Sequence, residues 1–231
     1  MQRTAVTSVQ LTILLEDNHC LAIDKPAGML TMGDATGDNT AADIARSYLR
    51  ERYNKPGDVF LGIVHRLDRP VSGVLLFART SKAASRLADQ FRQGTVRKKY
   101  QAIVEGHVSP RHGLLEHWLH KDRFRNRVTI AEPDATGARP SRLRYQVVRS
   151  HSGRSLVEIQ PLTGRSHQIR VQLAHLGHPI VGDVKYGSVA QPGHRIALHA
   201  TQLVFQHPTR QEEVMVCSAP PPEFLERVGS R

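Results

Sequence analysis

The sequence predicts an α+β fold: a mixed, largely antiparallel β-sheet core with flanking helices. Two observations favour this class. Short apolar runs bounded by turn residues recur along most of the chain, whereas only three segments show the helical spacing of apolar residues. No repeat, low-complexity tract or linker divides the 231 residues. We therefore expect a single domain over residues 1–231, with its core at about 11–225.

The first half of the chain predicts four strands and two helices. Two strands around a turn are expected in LTILLEDNHCLAIDKPAG, and GDATGDN is expected to be a flexible loop. Thr40 should cap a helix that runs to about Tyr53. VFLGIVHRLD and GVLLFART are predicted to be buried strands. Ser81 is predicted to cap the clearest helix, which Gly94 ends.

The second half of the chain is richer in strands. KKYQAIVEGHV is a predicted strand, KDRFRNR a predicted extended segment, and SRLRYQVV with SLVEIQPL a predicted hairpin. TGRSHQIRVQLAHLG changes to helical spacing, with Ser166 near the cap and Gly177 at the end. RIALHATQLVFQHP and EEVMVCSAP complete the predicted sheet.

The charge of the chain indicates a class of partner. It carries 32 Lys and Arg against 21 Asp and Glu, a formal net charge of +11. Because excess cations bind polyanions through counterion release, nucleic acid is the first partner to consider. No apolar run is long enough to span a bilayer, so we expect a cytoplasmic protein with no membrane partner. For the oligomeric state, a monomer is the default expectation. Cys20 and Cys217 are expected to be buried, reduced thiols.

Cofactor-dependent chemistry has no support in the sequence. Neither GxxxxGK[ST] nor GxGxxG occurs, and the 13 histidines show no known metal-ligand spacing. HRLD is similar to the kinase catalytic loop, but its Asp is one place late and DFG does not occur. We therefore expect neither a metal ion nor a nucleotide cofactor.

Asp68 is the candidate for chemistry. In VHRLDRPVSG it follows an apolar run and lies between Arg66 and Arg69. A carboxylate at the mouth of a buried strand needs a cation to stay charged, and Arg165, in the tight turn TGR before a helix, is the predicted partner. Such an aspartate is suited to act as a nucleophile or base. From these residues alone, a structural salt bridge is the alternative.

The segment KDRFRNR places a cation at every second residue: Lys121, Arg123, Arg125 and Arg127. In an extended segment all four would point to one face. Either a solvated strand face or a surface that follows RNA phosphates accounts for this pattern.

Several motifs together resemble the RluA-type pseudouridine synthases. HRLDRPVSGVLLFART resembles the catalytic motif of that family, and EDNHCLAIDKPAGML resembles its N-terminal motif. RKKYQAIVEG resembles the K-x-Y-x-A-x-V-x-G segment, and TGRSHQIRVQLAHLGHPIVGDVKYG the TGR-x-HQIR…GHPI-x-GD-x-YG signature. The motifs occur in family order over about residues 11–225.

The resemblance implies isomerisation of uridines in ribosomal or transfer RNA to pseudouridine, in a central cleft and without metal or cofactor. Asp68 matches the aspartate that acts on the ribose or base so that the N-glycosidic bond breaks, before the uracil rejoins through carbon. Tyr100 matches the tyrosine that stacks on the uracil and is suited to later proton removal. Arg165 matches the basic partner of the aspartate. Ile169 falls in the apolar pocket wall, and Arg66 matches the arginine that fills the gap left by the flipped uridine.

Two departures from the family pattern stand out. The turn after HRLD commonly has Asp-Thr-Ser-Gly, whereas this chain has Pro70-Val71-Ser72-Gly73, which removes a hydroxyl that could orient the acid. We also expect no S4-type RNA-binding domain, so RNA binding should rest on the catalytic domain and its basic segment. The alternative function is a catalytically inactive RNA-binding protein with the same basic surface.

Overall fold

The computed structural model describes residues 11–33, 37–189, 195–226 and 228. Within these ranges eleven strands form one sheet, in the order β1-β2-β4-β10-β5-β9-β8-β6-β7, with β3 on β4 and β11 on β10. The strands are β1 (Thr12–Glu16), β2 (Cys20–Lys25), β3 (Gly62–Ile63), β4 (Ser72–Ala78), β5 (Arg97–Glu105), β6 (His112–Asp122), β7 (Arg127–Ala131), β8 (Arg139–His151), β9 (Arg154–Pro161), β10 (Leu198–Gln206) and β11 (Glu213–Cys217). The helices are α1 (Ala41–Arg52), α2 (Ser81–Gln93), α3 (Gln168–His175) and α4 (Pro222–Glu226), with a 3-10 turn at Val184–Tyr186. The α+β class is confirmed, since β4 and β10 form the one parallel pair among these strands.

Strand β4 separates the two faces of the sheet. All seven of its residues are buried. Leu75 and Phe77 belong to the core cluster that includes the buried residues of α1 and α3, whereas Val74 and Leu76 pack in the cluster of α2. Because successive side chains alternate between faces, α1 and α3 cover one face and α2 the other.

The ends of α1 and α2 follow local capping rules, and one predicted cap is corrected. Thr40 caps α1 as predicted, and its hydroxyl accepts a hydrogen bond from the Asp43 amide while the Asp43 carboxylate accepts from the Thr40 amide. Helix α2 is capped by Thr80 rather than by the predicted Ser81, because the Thr80 hydroxyl accepts from the Ala83 amide at 3.2 Å. Gly94 ends α2 in a left-handed conformation, as predicted.

The parallel junction of β4 and β10 is short and requires a glycine. Two residue pairs form it, Ser72 with His199 and Gly73 with Ala200. Gly73 has φ +110°, and a Cβ there would lie 2.2 Å from the Ala200 carbonyl oxygen. The Ser72 hydroxyl and His199 Nδ1 lie 2.9 Å apart beside it. The junction therefore fixes the chain directly after the turn that carries Asp68.

VFLGIVHRLD is not a continuous strand. Pairing with β4 stops at Ile63, and beyond it the Nε2 atom of His65 accepts the Leu76 amide at 2.9 Å while its ring stacks on Phe91. Burial, together with the charge of Lys98, lowers the pKa of His65 to about 3, so the ring is neutral and can accept this bond. The His65 side chain thus takes the hydrogen-bonding place of a strand backbone, and residues 64–67 lead into the turn that carries Asp68.

Three further findings concern the sequence predictions. HGLLEHWLHKD forms β6, which the sequence analysis did not predict. Cys20 is buried, but Cys217 is exposed on β11, so the expectation that both thiols are buried is wrong for Cys217. Residues 34–36 of the predicted GDATGDN loop lie outside the described residues. No helix in the described ranges combines the length and apolar character needed to cross a membrane.

Candidate active site

The backbone before Asp68 is held by Thr31. The Thr31 hydroxyl donates to the Leu67 carbonyl at 2.9 Å and accepts from the Leu67 amide at 3.2 Å. Both residues are buried. After Asp68, its carbonyl accepts from the Val71 amide at 3.0 Å and closes the turn. The acid is therefore presented on backbone that is fixed on both sides.

Lys25, from the KPAG motif, fixes the residue after the acid. Its ammonium is fully buried and donates to the carbonyls of Pro26 at 2.9 Å, Met29 at 2.8 Å and Arg69 at 3.3 Å. The Gly28 amide also donates to the Arg69 carbonyl, at 2.8 Å. The motif thus connects the end of β2 to the turn that carries Asp68.

Two charge effects accompany this arrangement. Burial lowers the pKa of Lys25 to about 7, although the nearby charges of Asp68 and Asp24 oppose the shift. Arg69 donates through Nε to the Gly28 carbonyl at 3.1 Å and forms an ion pair with Asp38 at 2.8 Å. Arg69 therefore also ties the turn to the loop before α1.

The cation that pairs with Asp68 is Arg170. Its Nη1 donates to Asp68 Oδ2 at 3.2 Å, while its Nε and Nη2 donate to the two carboxylate oxygens of Asp183 at 2.7 and 2.9 Å. Arg170 is 6% exposed and Asp183 is 1% exposed. Because Asp183 holds the guanidinium in a two-point geometry, Arg170 presents its Nη1 group to Asp68 in a fixed direction. Asp68 Oδ1 has no hydrogen-bond partner among the described residues and is available to a substrate.

The prediction that Arg165 pairs with Asp68 is therefore corrected. Arg165 is exposed, and its Nε donates to the Pro140 carbonyl at 3.1 Å. Arg165 precedes α3, whereas Arg170 lies in the helix, whose residues from Gln168 to Leu173 are all buried. An arginine inside a buried helix needs an acidic partner. That signal, together with Asp183 in the GHPIVGD motif, would have identified the pair.

His167 is a second neighbour of Asp68 that the sequence analysis missed. Its Nε2 lies 3.8 Å from Asp68 Oδ2, and its backbone is left-handed with φ 51°. Its Nδ1 lies 2.7 Å from the Tyr186 hydroxyl, which also accepts the Val128 amide at 3.0 Å. In the tautomer with its proton on Nε2, His167 accepts the tyrosine hydrogen at Nδ1 and directs the Nε2–H group toward Asp68.

The imidazole of His167 is neutral. Burial lowers its pKa to about 4; the charge of Asp68 opposes this, and the cations Arg170, Lys185 and Lys121 add to it. A neutral ring can hold the Tyr186 hydrogen bond and still direct an N–H group toward the acid. His167 therefore positions the carboxylate without acting as a second counterion.

Tyr100 and Ile169, both predicted site residues, meet in the same core cluster. Tyr100 lies on β5 opposite Ala200 of β10 and Ile159 of β9, so it is centred in the sheet. Burial raises the pKa of Tyr100, and the charge of Asp68 raises it further, so the side chain is a neutral phenol. Ile169 is 7% exposed on α3. Tyr100 is thus near enough to Asp68 to feel its charge, and Ile169 directly precedes Arg170, the residue that pairs with Asp68.

The predicted basic segment is a hairpin tip rather than one strand face. Lys121 is near the end of β6, Arg127 begins β7, and Arg123 and Arg125 lie in the turn between them. The chain turns because the Asp122 carboxylate accepts the Arg125 amide at 3.0 Å and Asn126 adopts φ 45°. The expectation of four cations in one row is therefore wrong, although all four are exposed.

The hairpin tip adjoins the active site. The Asn126 carbonyl accepts from Lys185 Nζ at 3.0 Å, and the Arg127 guanidinium lies 5.6 Å from the centre of the Tyr186 ring. Tyr186 in turn contacts His167. Arg66, the remaining predicted site residue, is exposed two residues before Asp68 and has no hydrogen bond or ion pair in the part of the chain described.

One group of three side chains among the described residues has the spacing of a metal site, away from Asp68. The ligand atoms of Asp17, Cys20 and His207 lie within 4.8 Å of one another. Asp17 Oδ2 already accepts from His207 Nε2 at 2.8 Å and from Arg210 at 3.1 Å, and burial raises the pKa of the Cys20 thiol to about 12. The Asp17 and His207 atoms are thus engaged in a hydrogen bond that connects the turn after β1 to the end of β10, and the Cys20 thiol is protonated.

A partly exposed carboxylate that a buried guanidinium holds on a fixed turn is the kind of site at which an enzyme performs acid–base or nucleophilic chemistry. Residues 19–175 match the family model of RNA pseudouridylate synthases. The chain belongs to this family, and it is an isomerase of the pseudouridine synthase class.

Individual relatives agree with this assignment. Ribosomal large subunit pseudouridine synthase C of Vibrio vulnificus (strain CMCP6) is 36% identical over 230 residues, which cover 96% of this chain and 70% of the relative. tRNA pseudouridine synthase C of Haemophilus ducreyi is also 36% identical, over 90% of each chain. The solved structure of human RNA pseudouridylate synthase domain containing 4 is 26% identical with a TM-score of 0.78, over 93% of this chain and 90% of that one.

Proposed function

We propose that this enzyme flips selected uridines out of structured ribosomal or transfer RNA and isomerises them with Asp68 as the catalytic residue. The observation that carries the proposal is the geometry of Asp68. One oxygen is fixed by Arg170 at 3.2 Å, while the other has no partner among the described residues. A carboxylate with one anchored and one open oxygen is ready to act on a nucleotide brought to it.

The neighbouring residues suit the steps of the reaction. Asp68 acts on the ribose or the base, the N1–C1′ bond breaks, the uracil turns, and the C5–C1′ bond forms. The C5 proton must then leave and N1 must gain one. Tyr100 supplies a ring on which the uracil can stack, and Ile169 an apolar wall that retains it. Because Tyr100 is a neutral phenol, it can accept the C5 proton only after its own proton has moved to another group.

Access to the base is the role we propose for the exposed cations. A base within RNA structure must leave its stack, which costs a few kcal/mol. Arg66 is exposed and near Asp68 in the chain, so its guanidinium can occupy the place of the flipped uridine. Lys121, Arg123, Arg125 and Arg127 can contact phosphates around the hairpin tip.

The decisive experiment is Asp68→Asn, assayed by tritium release from [5-³H]uridine-labelled RNA. The substitution keeps the shape of the side chain but removes the charge, so tritium release should be lost while RNA binding is largely retained. Asp89→Asn is the matched control, since Asp89 is an exposed acid on α2. If the wild type releases no tritium from any cellular RNA, the alternative of a catalytically inactive RNA-binding protein is correct.

The particular RNA and uridine follow from a second measurement. Pseudouridines mapped across total RNA, with and without this gene, should differ at the target site. We further propose that the chain acts as a monomer in the cytoplasm, with no metal or nucleotide cofactor. Light scattering of the purified protein tests whether it is a monomer, and activity in the presence of a chelator tests whether it works without a metal ion.

A further inference from the structure

Phe124 is more exposed than any other large apolar side chain in the described residues, at 103% of its reference area. It lies at the hairpin tip between Arg123 and Arg125, which are also exposed. A phenylalanine ring that is fully in water gains nothing from burial. Its presence therefore needs an explanation other than packing within the chain.

The turn does not need an aromatic residue at this position. Its conformation is set by the hydrogen bond from the Arg125 amide to the Asp122 carboxylate and by the left-handed backbone of Asn126. Neither contact involves the Phe124 ring. A change at Phe124 should therefore leave the fold and stability unchanged, which makes its role testable by substitution.

Hydrogen bonds to residues next to the proposed active site hold the hairpin tip in position. Lys185, which donates to the Asn126 carbonyl, is two residues after Asp183, the residue that holds Arg170. At the start of β7, the Val128 amide donates to the Tyr186 hydroxyl, which also contacts His167. RNA with a uridine at Asp68 would therefore pass close to the tip.

We propose that Phe124 stacks on an unpaired RNA base beside the target uridine and so contributes to substrate binding. The proposal rests on the function proposed above and names a residue that this function does not use. An aromatic ring between two arginines combines a stacking face with charges that neutralise phosphates, which is how proteins bind single-stranded nucleotides. A protein partner would need a wider apolar surface, whereas the neighbours of Phe124 in the tip are arginine and asparagine.

The test compares three substitutions with a matched control. Phe124→Ala removes the ring, Phe124→Leu keeps an apolar side chain without a ring, and Phe124→Trp enlarges the stacking face. Phe60→Ala is the control, because Phe60 is half exposed and lies before β3 rather than in the hairpin. The substrate is [5-³H]uridine-labelled RNA from cells that lack this gene, and kcat and KM for tritium release are measured separately.

The alanine and leucine variants should raise KM roughly tenfold, the size expected for the loss of one base–aromatic stack. Phe124→Trp and Phe60→Ala should stay within about twofold of the wild type, and all four should have an unchanged melting temperature. The effect of Phe124→Ala should be the same at about 50 mM and about 200 mM salt, whereas that of Arg123→Ala should shrink as salt rises. Wild-type kinetics in Phe124→Ala, or full activity in Phe124→Leu, would overturn the proposal.

A binding measurement separates this proposal from the proposed function. Stacking should quench the additional tryptophan fluorescence of Phe124→Trp when the same RNA is added. If the wild type releases no tritium, the proposed function fails, and the quenching result alone decides the role of Phe124. If the wild type is active but Phe124→Trp shows no quenching beyond that of Trp118 in the wild type, only the stacking proposal fails.

Discussion

Replacing both members of the Arg170–Asp183 pair should destabilise the protein much less than the two single substitutions predict when added. Arg170→Met leaves the Asp183 carboxylate, 1% exposed, without a cation. Asp183→Asn leaves the guanidinium, 6% exposed, with Asp68 as its one carboxylate partner among the described residues. Removing one partner of a buried ion pair costs about 3–5 kcal/mol because the other charge remains buried.

The two single costs would sum to about 6–10 kcal/mol, but the double variant has neither buried charge and should lose about 3–5 kcal/mol. Chemical denaturation of the four proteins in the cycle measures the coupling directly. Arg142→Met is the control, because Arg142 forms an exposed ion pair with Glu116 and should lose less than about 1 kcal/mol.

Tritium release adds a second measurement to the same cycle. All variants without Arg170 should have a lower kcat, including the double variant, because Asp68 has then lost the cation that fixes its Oδ2 atom. Stability and activity should thus separate: the second substitution should cost little further stability, whereas kcat should stay low wherever Arg170 is missing. A double variant whose loss of stability equals the sum of the single losses within about 0.5 kcal/mol would refute the reasoning.

Two further predictions test the backbone around the acid. Gly73→Ala should cost about 3–5 kcal/mol, because the added Cβ would lie 2.2 Å from the Ala200 carbonyl oxygen. Gly94→Ala should cost about 1 kcal/mol, because Gly94 also has a positive φ but a Cβ there would have nothing within 4 Å. Equal losses of stability in thermal denaturation would contradict this. Lys25 has a folded-state pKa of about 7 and an ordinary value of 10.5. Between these values the unfolded chain binds more protons, so Lys25 makes stability rise with pH by at most about 1.4 kcal/mol per unit, and denaturation curves of Lys25→Met at pH 7 and pH 9.5 should lack that rise.

Much of the fold could be predicted from the sequence because its signals are local. The apolar spacing of α2, its glycine stop and the Thr40 cap of α1 each depend on residues within one or two turns. The prediction of a continuous strand over VFLGIVHRLD failed because a side chain, rather than strand backbone, forms the hydrogen bond to β4. His65 ends the pairing beside β4 by accepting the Leu76 amide, a contact across 11 residues that no pattern of apolar residues indicates.

The surroundings of Asp68 could be predicted only in part. The motifs that carry Asp68, Tyr100 and Ile169 could be recognised in the sequence, but the side chains next to the acid could not. The partner of Asp68 was assigned to Arg165 because that arginine lies in a tight turn, but the structure selects Arg170, which Asp183 holds. The role of His167 depends on a left-handed backbone at a non-glycine residue, which sequence patterns do not specify.

The position of the Asp68–Arg170 ion pair also bears on when during folding the proposed site is complete. Asp68 and Arg170 are 102 residues apart in the chain, and the β4–β10 junction beside them joins segments that are still further apart. Contacts of such long range require the closure of a large loop, and they form after local helices and hairpins. During synthesis the segment that carries Asp68 leaves the ribosome before α3 and β10, which supply its partner and fix its turn. We therefore expect nascent chains that lack α3 and β10 to be inactive on RNA.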